Sequence, residues 1–384
     1  MIYTISIDWL AIYCHYMPTP VNADGADGDP VEWTPIDTEV CENGGDMFGA
    51  YIWRYKLEDY GTRQFSRLYR VSIPNEVHGW DDFAEVQATP HSGILTRNSI
   101  IVRFVNRALY RPDFWELATH FLDDNKFLFK SISRIDICAD FNQFHSMAPI
   151  ELIEGFAAKK FRHIGRGVGA LYFDHGVCTD KYTGVKEYGV RYTGLSFGVH
   201  SSDMRVYLYN KSFELLTQGM KPWIVDTWKT VGLDIRSVWR LEVSIKSEGC
   251  SFRDKITGKK VTIDITNSAD EDELSKIYHS FVQKKFAFVK NYRHITNISR
   301  EPRIQLFNLH PIYAHATLRN VSPGNRFERM FLKALYQLGD LYRGNDPHDD
   351  AMLAQSLAYD IAANTDLDKW LAEKIPTWEK PTHK

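Results

Sequence analysis

Three stretches of this chain alternate strictly between apolar and polar side chains, and their polar members are mostly charged. In Arg134-Ile-Asp-Ile-Cys-Ala-Asp140 the two-residue period of a β-strand puts Arg134, Asp136, Cys138 and Asp140 on one face and Ile135, Ile137 and Ala139 on the other. In Arg205-Val-Tyr-Leu-Tyr-Asn-Lys211, Arg205, Tyr207, Tyr209 and Lys211 share a face while Val206 and Leu208 turn away. In Trp239-Arg-Leu-Glu-Val-Ser-Ile-Lys246, Arg240, Glu242, Ser244 and Lys246 oppose Trp239, Leu241, Val243 and Ile245. If the three strands share a sheet, one side becomes a core under helices and the other a floor of carboxylates, cations and phenols. Taken singly, each strand is also what a half-solvated antiparallel strand looks like, with opposite charges paired across neighbours.

The remaining chain supplies the rest of an α+β domain. Strands are expected at Tyr3–Tyr13, Phe48–Tyr55, Arg67–Ile73, Glu85–Ala88, Ser99–Phe104, Ser133–Phe141, Met204–Lys211 and Trp239–Lys246. Proline in the first turn and apolar residues at helical spacing predict a helix over 111–122, and a second lies at Pro149–Lys159. A hairpin-rich stretch runs from Phe161 to Val199, and a Gly/Asp/Pro-rich segment over 17–46 reads as an insertion loop. After residue 250 helices dominate the expectation, at 270–292, 326–342 and 351–375, with an extended piece at 303–309. This organisation divides the chain into residues 1–255, an antiparallel sheet with helices on one face, and 256–384, a mostly helical region suited to DNA binding or dimer contact.

Composition removes several classes. No apolar run approaches the roughly 20 residues of a membrane helix, and the N-terminus carries no basic leader or cleavage site, so a cytoplasmic protein is expected. The five cysteines (Cys14, Cys41, Cys138, Cys178, Cys250) form no CxxC pair, which argues for reduced thiols and against a structural zinc site. A net charge of −3 counts against a general nucleic-acid binder. Its distribution restores the possibility, because residues 283–343 hold eleven Lys and Arg against three Asp and Glu.

The polar floor has the parts of a phosphoryl-transfer site. Asp136 and Glu242 are hard oxygen ligands suited to Mg²⁺ or Mn²⁺. A tyrosine hydroxyl can attack phosphorus and conserve the bond energy in a phosphotyrosine link. Arg240 and Lys211 can neutralise charge building on phosphate oxygens. His91, His175 and His200 are further ligand candidates, each equally readable as a loop or core histidine. Gly165-Arg-Gly-Val-Gly169 lacks the strand–helix setting of a phosphate loop and reads as a turn. Around Lys284, Lys285, Lys290 and Arg293, basic residues interleave with aromatics as in single-strand binders; an amphipathic helix packing Phe286 and Val289 accounts for the pattern equally well.

At these same residues the chain resembles the plasmid and phage replication initiation factor family, which comprises rolling-circle initiators of the staphylococcal-plasmid type, filamentous-phage initiators and related relaxases. Phe197-Gly198-Val-His-Ser-Ser202 leading to Tyr209-Asn210-Lys211-Ser-Phe-Glu214 is similar to the family's aromatic-Gly-x-x-x-Ser…Tyr-Asn/Asp-Lys-x-x-Glu signature. Ser133-Arg-Ile-Asp136-Ile-Cys-Ala-Asp140 resembles its Arg-Ile/Phe-Asp-x-x-x-Asp block, Trp239-Arg240-Leu-Glu242 its Arg-x-Glu strand, and Ile7-Asp8-Trp9-Leu10 its opening strand. The blocks occur in family order over residues 5–250. One departure stands out: Tyr207 occupies the place of an arginine two positions before the tyrosine, and Arg205 lies two further back.

The resemblance implies an HUH-like replication-initiator nuclease core, of one or two related halves, and a metal-dependent endonuclease and strand transferase. Tyr209 would be the nucleophile and carry the 5′ end of the cut strand, with Tyr207 as rival. Asp136 and Glu242 would hold Mg²⁺ or Mn²⁺, with Asp140 a weaker candidate. Lys211 and Arg240 would assist catalysis, and Arg205 would contact DNA. Implied partners are origin DNA, single-stranded or in a hairpin, a possible second copy of the chain, and the host helicase and polymerase. A conjugative relaxase with the same chemistry and a non-catalytic origin-binding regulator are the alternatives.

Overall fold

The computed structural model describes residues 1–18, 32–35, 53–77, 79–91, 95–165, 169–179, 186–199, 202–291, 301–308 and 310–316, without the side chains of 175–179, 186–191 and 315–316. Met1–Thr89 and Arg97–Leu318 form one compact unit. A second unit, Pro90–Thr96 with Arg319–Lys384, lies outside the described residues except at 90, 91, 95 and 96. The helices expected at 326–342 and 351–375 therefore fall outside them too.

The strands of the first unit are β1 (Tyr3–Tyr16), β2 (Arg54–Leu57), β3 (Phe65–Asn75), β4 (Gly79–Pro90), β5 (Ser99–Phe104), β6 (Phe127–Phe141), β7 (Phe161–His163), β8 (Gly169–Thr179), β9 (Lys186–Phe197), β10 (Met204–Asn210), β11 (Trp239–Lys246), β12 (Ser251–Asp254), β13 (Lys260–Thr262), β14 (Phe288–Lys290) and β15 (His315–Ala316). Its helices are α1 (Asn106–Leu109), α2 (Phe114–Asp124), α3 (Pro149–Ala157), α4 (Lys211–Gln218), α5 (Pro222–Val231), α6 (Ile265–Ala269) and α7 (Glu271–Lys285).

Ten strands form one sheet in the order β2-β3-β4-β5-β1-β6-β11-β10-β9-β8. The chain writes this sheet in two similar passes: β1 pairs with β5, the last strand of its own meander, and β6 pairs with β11, the last strand of the next. All described pairings in it are antiparallel. The three alternating strands are adjacent, and their register sets Tyr207 beside Glu242, Glu242 beside Cys138, Tyr209 beside Arg240, Arg240 beside Asp140 and Ser244 beside Asp136. Residues opposite one another across a ladder point to the same side. The polar residues of β6, β10 and β11 therefore share one face.

The apolar face is the core. Ile135, Ile137, Leu208, Leu241 and Val243 are buried on it. Phe121 of α2, Leu152 of α3 and Phe281 of α7 belong to the same buried cluster. Each such side chain contributes about 1.5–3 kcal/mol over staying exposed. α2 forms because Phe114, Leu117, Phe121 and Leu122 recur at three and four residues and make one apolar stripe. α4 and α5 instead pack over one end of the polar face, carrying a smaller apolar cluster of Leu215, Ile224, Val225, Trp228, Leu233 and Val238. Sequence periodicity alone did not separate them from loop.

Some expectations change with the structure. The expected helix over 270–292 ends at Lys285, because β14 takes the chain on as a strand beside β7, with Phe288 opposite His163. Within the expected insertion loop 17–46, Trp33 is a core residue, its ring 5.1 Å from Phe127 and 5.3 Å from Tyr69. The rest of that segment lies mostly outside the described residues.

Candidate active site

Tyr209 stands at the point where β10 becomes α4. Asn210 ends the strand and caps the helix, its Oδ1 accepting from Phe213 N at 2.9 Å. Such a cap is worth about 1 kcal/mol. Lys211 is thus the first helical residue rather than the last of the strand, and its ammonium swings back to 3.4 Å from the Tyr209 hydroxyl. Glu214, one turn on, holds Lys211 by an ion pair of 2.5 Å. The spacing Tyr-Asn-Lys-x-x-Glu is accordingly a strand, a cap, and an i, i+3 pair aimed at the phenol.

Upstream, the aromatic-Gly…Ser block is the β9–β10 turn. Gly198 has φ +100°, and a Cβ there would lie 2.8 Å from Met204 O, so the close approach requires glycine. Ser202 Oγ accepts from Val199 N at 3.3 Å. The turn fixes the register of β10. Gly194 faces Tyr209 across the ladder, where a Cβ would meet Leu208 O at 2.8 Å and Tyr209 Cβ at 3.2 Å.

The Tyr209 hydroxyl donates to Glu242 Oε2 at 3.1 Å. Burial raises the phenol's pKa well above its ordinary value, and the Glu242 charge adds to this against Arg240. Burial also pushes Glu242 up to about 7, with the charges of Asp136 and Asp8 adding to the rise. Asp136 is itself raised by burial, against a two-pronged hydrogen bond from Arg134 (Nε 2.9 Å, Nη2 2.5 Å). The Arg134 guanidinium lies over the ring of Trp9 at 4.8 Å, which holds that pair in place.

Asp140 and Arg240 are brought to the same face but take another part. Arg240 is fully buried, and Asp140 nearly so. Nε and Nη2 of Arg240 reach the two Asp140 oxygens at 2.6 and 2.7 Å, Nη1 reaches Asp8, and Nη2 reaches the Tyr110 hydroxyl at 3.0 Å. Trp228 of α5 donates its indole N–H to Asp140 at 2.7 Å. Asp140 and Arg240 thus hold each other in a buried ion pair, which the Trp228 indole closes over.

Asp8 is the group that sequence analysis left without a role. Between Ile7 and Trp9 the β1–β6 register slips by one residue, making Asp8 the extra residue of a β-bulge. Burial would raise its carboxyl, but Arg240, Lys211 and the Asn106 hydrogen bond outweigh that and hold it well below the usual carboxylate range. The signal in the sequence is the polar alternation Thr4, Ser6, Asp8 in the opening strand.

Tyr207 is the more open phenol. The Arg205 guanidinium sits 4.1 Å over its ring and donates to the Tyr172 hydroxyl at 3.2 Å. Among the described residues no three His, Cys, Asp or Glu side chains are grouped so as to hold a metal. The pair Asp136–Glu242 still suits Mg²⁺ or Mn²⁺, cations often held by one or two carboxylates plus substrate oxygens. His91 is exposed, while His200, Arg293 and the His175 side chain lie outside the described residues. Lys284 and Lys285 end α7 and Lys290 is exposed on β14, but the aromatics between them, Phe286 and Phe288, are core residues and not stacking platforms.

Cys14, Cys138 and Cys250 are buried free thiols. No helix among the described residues is long and apolar enough to cross a membrane.

Comparison with known proteins is sparse. No family model and no curated protein matches the chain. Among solved structures it is similar to a rolling circle replication initiator protein from Geobacillus stearothermophilus, with 14% identity over 79% of this chain and 93% of that one and a TM-score of 0.43. At that level of likeness the assignment of the site stands on its own geometry.

Proposed function

We propose that the chain is a DNA strand-nicking and rejoining enzyme that initiates rolling-circle replication, with Tyr209 as its nucleophile. The observation that carries this is the contact of the Tyr209 hydroxyl with both a carboxylate of near-neutral pKa and a lysine ammonium, beside a second carboxylate on the same sheet face.

The chain's own groups suffice to describe the proton and charge movements. Glu242 takes the phenol proton as the Tyr209 oxygen forms its bond to phosphorus, and Lys211 balances the phenolate charge. The P–O3′ bond breaks, the 3′ oxygen takes the proton from Glu242, and the 5′ end stays on Tyr209. Attack by a 3′-OH on the phosphotyrosine reverses these steps and reseals the strand. Asp136 and Glu242 are the residues that would hold Mg²⁺ or Mn²⁺, and a bound cation would polarise a phosphate oxygen. Arg240, through Asp8 and Asp140, is a positioning residue. Arg134 and Arg205, on the polar face, suit the DNA backbone, as do Lys284, Lys285, Lys290 and Arg293 elsewhere on the chain.

Partners follow from this reading: origin DNA with an unpaired strand, and the helicase and polymerase that would use the released 3′-OH. Incubating the protein with a labelled single strand from a candidate origin and Mn²⁺ tests it. A denaturation-resistant adduct lost in Tyr209→Phe and kept in Tyr207→Phe is expected. Loss only in Tyr207→Phe would move the nucleophile to the more open phenol. DNA binding with no adduct under any condition would make the chain an origin-binding regulator. An adduct that forms on transfer-origin strands alone would make it a conjugative relaxase.

A further inference from the structure

Beyond the end of β11, strands β12 and β13 form a short hairpin whose outer side is cationic. Arg253, Lys255, Lys259 and Lys260 are all exposed, and Arg253 lies directly opposite Lys260 across the ladder. Like charges so placed cost stability. Among the described residues none of the four forms an ion pair, and neither do Lys284 and Lys285 at the end of α7. The two groups are neighbours, for the charges of Lys285 and Lys255 add to the burial that lowers the pKa of Lys284.

The one acid in the hairpin is turned inward. Asp254 is buried and both its oxygens are engaged: Oδ1 accepts from Ile256 N of the turn at 3.2 Å and from Ala314 N, next to β15, at 3.0 Å, and Oδ2 from Thr257 N at 3.1 Å and Thr257 Oγ1 at 2.7 Å. Gly258, at φ +70°, closes the turn, with its N–H donating to Asp254 O at 2.8 Å. Phe252, beneath, packs edge-on to Phe281 and Tyr313. The backbone of the finger is therefore tied down, and its cations are anchored at set points along it.

We propose that this hairpin, with Lys284 and Lys285, is a docking surface for the phosphate backbone of double-stranded DNA, separate from the site of strand cleavage. Cations anchored along a hydrogen-bonded turn can meet the regularly spaced phosphates of a duplex and release its condensed counterions. Single strands are gripped by exposed aromatic rings on which bases stack. The finger exposes none: its one large apolar tip residue is Ile256, 78% exposed, and the nearby rings of Phe252, Phe281, Phe286 and Phe288 are buried. The choice of DNA over duplex RNA rests on the proposed function; the choice of duplex over single strand does not. The surface would hold the paired flank of an origin while Tyr209 acts on an unpaired strand.

Fluorescence anisotropy of the full chain with a labelled DNA duplex of about three helical turns, in metal-free buffer between about 50 and 200 mM salt, tests this. Lys255→Ala/Lys259→Ala/Lys260→Ala is expected to bind at least about tenfold more weakly at mid-range salt and to flatten the log–log salt slope by about 2 to 3. A scrambled duplex of the same length should bind equally well. Lys255→Arg/Lys259→Arg/Lys260→Arg should restore affinity, and equal unfolding midpoints would show that the alanine variant is folded. Unchanged affinity and slope would overturn the proposal. So would an equal loss of oligo-dT binding, or binding of the finger to vesicles containing anionic phospholipid but not to duplex. Because no cleavage is measured, failure of Tyr209 to form an adduct leaves this result standing, and the converse holds.

Discussion

At the scale of single residues, Glu242 decides how the site responds to pH. Its folded pKa, about 7, lies above the ordinary carboxyl value of 4.5. A raised folded pKa means the folded state binds the proton more tightly, so this stabilisation is present below about 4.5 and is lost as pH rises through about 7. Without divalent cation, the unfolding midpoint of the wild type should fall across that window relative to Glu242→Gln, and calorimetry at several pH values checks it. Adduct formation needs Glu242 ionised to accept the phenol proton, and a cation held by Asp136 and Glu242 would favour that form, so in Mn²⁺ the adduct rate should begin to fall only at a lower pH than this cation-free window. Glu242→Gln should lower the adduct rate by about 10²- to 10⁴-fold. That Tyr209, Glu242 and Asp136 share a face was legible in the sequence, because a two-residue period fixes which side chains point the same way. The same rule put Asp140 and Arg240 on that face, but periodicity does not say which end of a face a helix covers. Arg240 is fully buried there, and Trp228, which covers Asp140, comes from a helix that periodicity did not single out.

At the scale of elements, the site depends on a bulge, a turn and a buried ion pair. Arg240→Ala would leave Asp8 and Asp140 as uncompensated buried charges and should cost about 3–5 kcal/mol in urea unfolding, far more than removing a surface pair. Replacing Arg240 and Asp140 together by apolar residues should cost much less than the sum of the single changes, which a double-mutant cycle measures. Gly194→Ala tests the ladder beneath the phenol: an added methyl 2.8 Å from Leu208 O must push β9 from β10. Adduct formation should drop by about tenfold or more, since misplacing a reacting group by about 1 Å can cost 10²-fold. The strands β5 and β11 were legible to the residue. The Asp8 bulge was not, because it arises from slippage between β1 and β6, and a single strand's sequence does not contain its partner's register.

At the scale of the whole molecule, the pattern of residues predicted an antiparallel sheet with helices, but not that ten strands would join in one sheet written in two passes. That repetition lies in pairing order and not in sequence similarity between β1–β5 and β6–β11. It places the three alternating strands side by side, which is why a phenol and two carboxylates meet although more than a hundred residues separate Asp136 from Glu242. The basic finger at β12–β13 escaped sequence analysis because its charge stands out only once Asp254 is seen to point inward. On this reading the Tyr209 oxygen, and no other, bonds to DNA phosphorus. Mass spectrometry of the proteolysed adduct, formed with a candidate origin strand and Mn²⁺, tests that directly. The expected result is a nucleotide mass on a peptide containing Tyr207 and Tyr209, with fragmentation assigning it to Tyr209. A nucleotide mass on Tyr207, or on any residue outside β10, would contradict it.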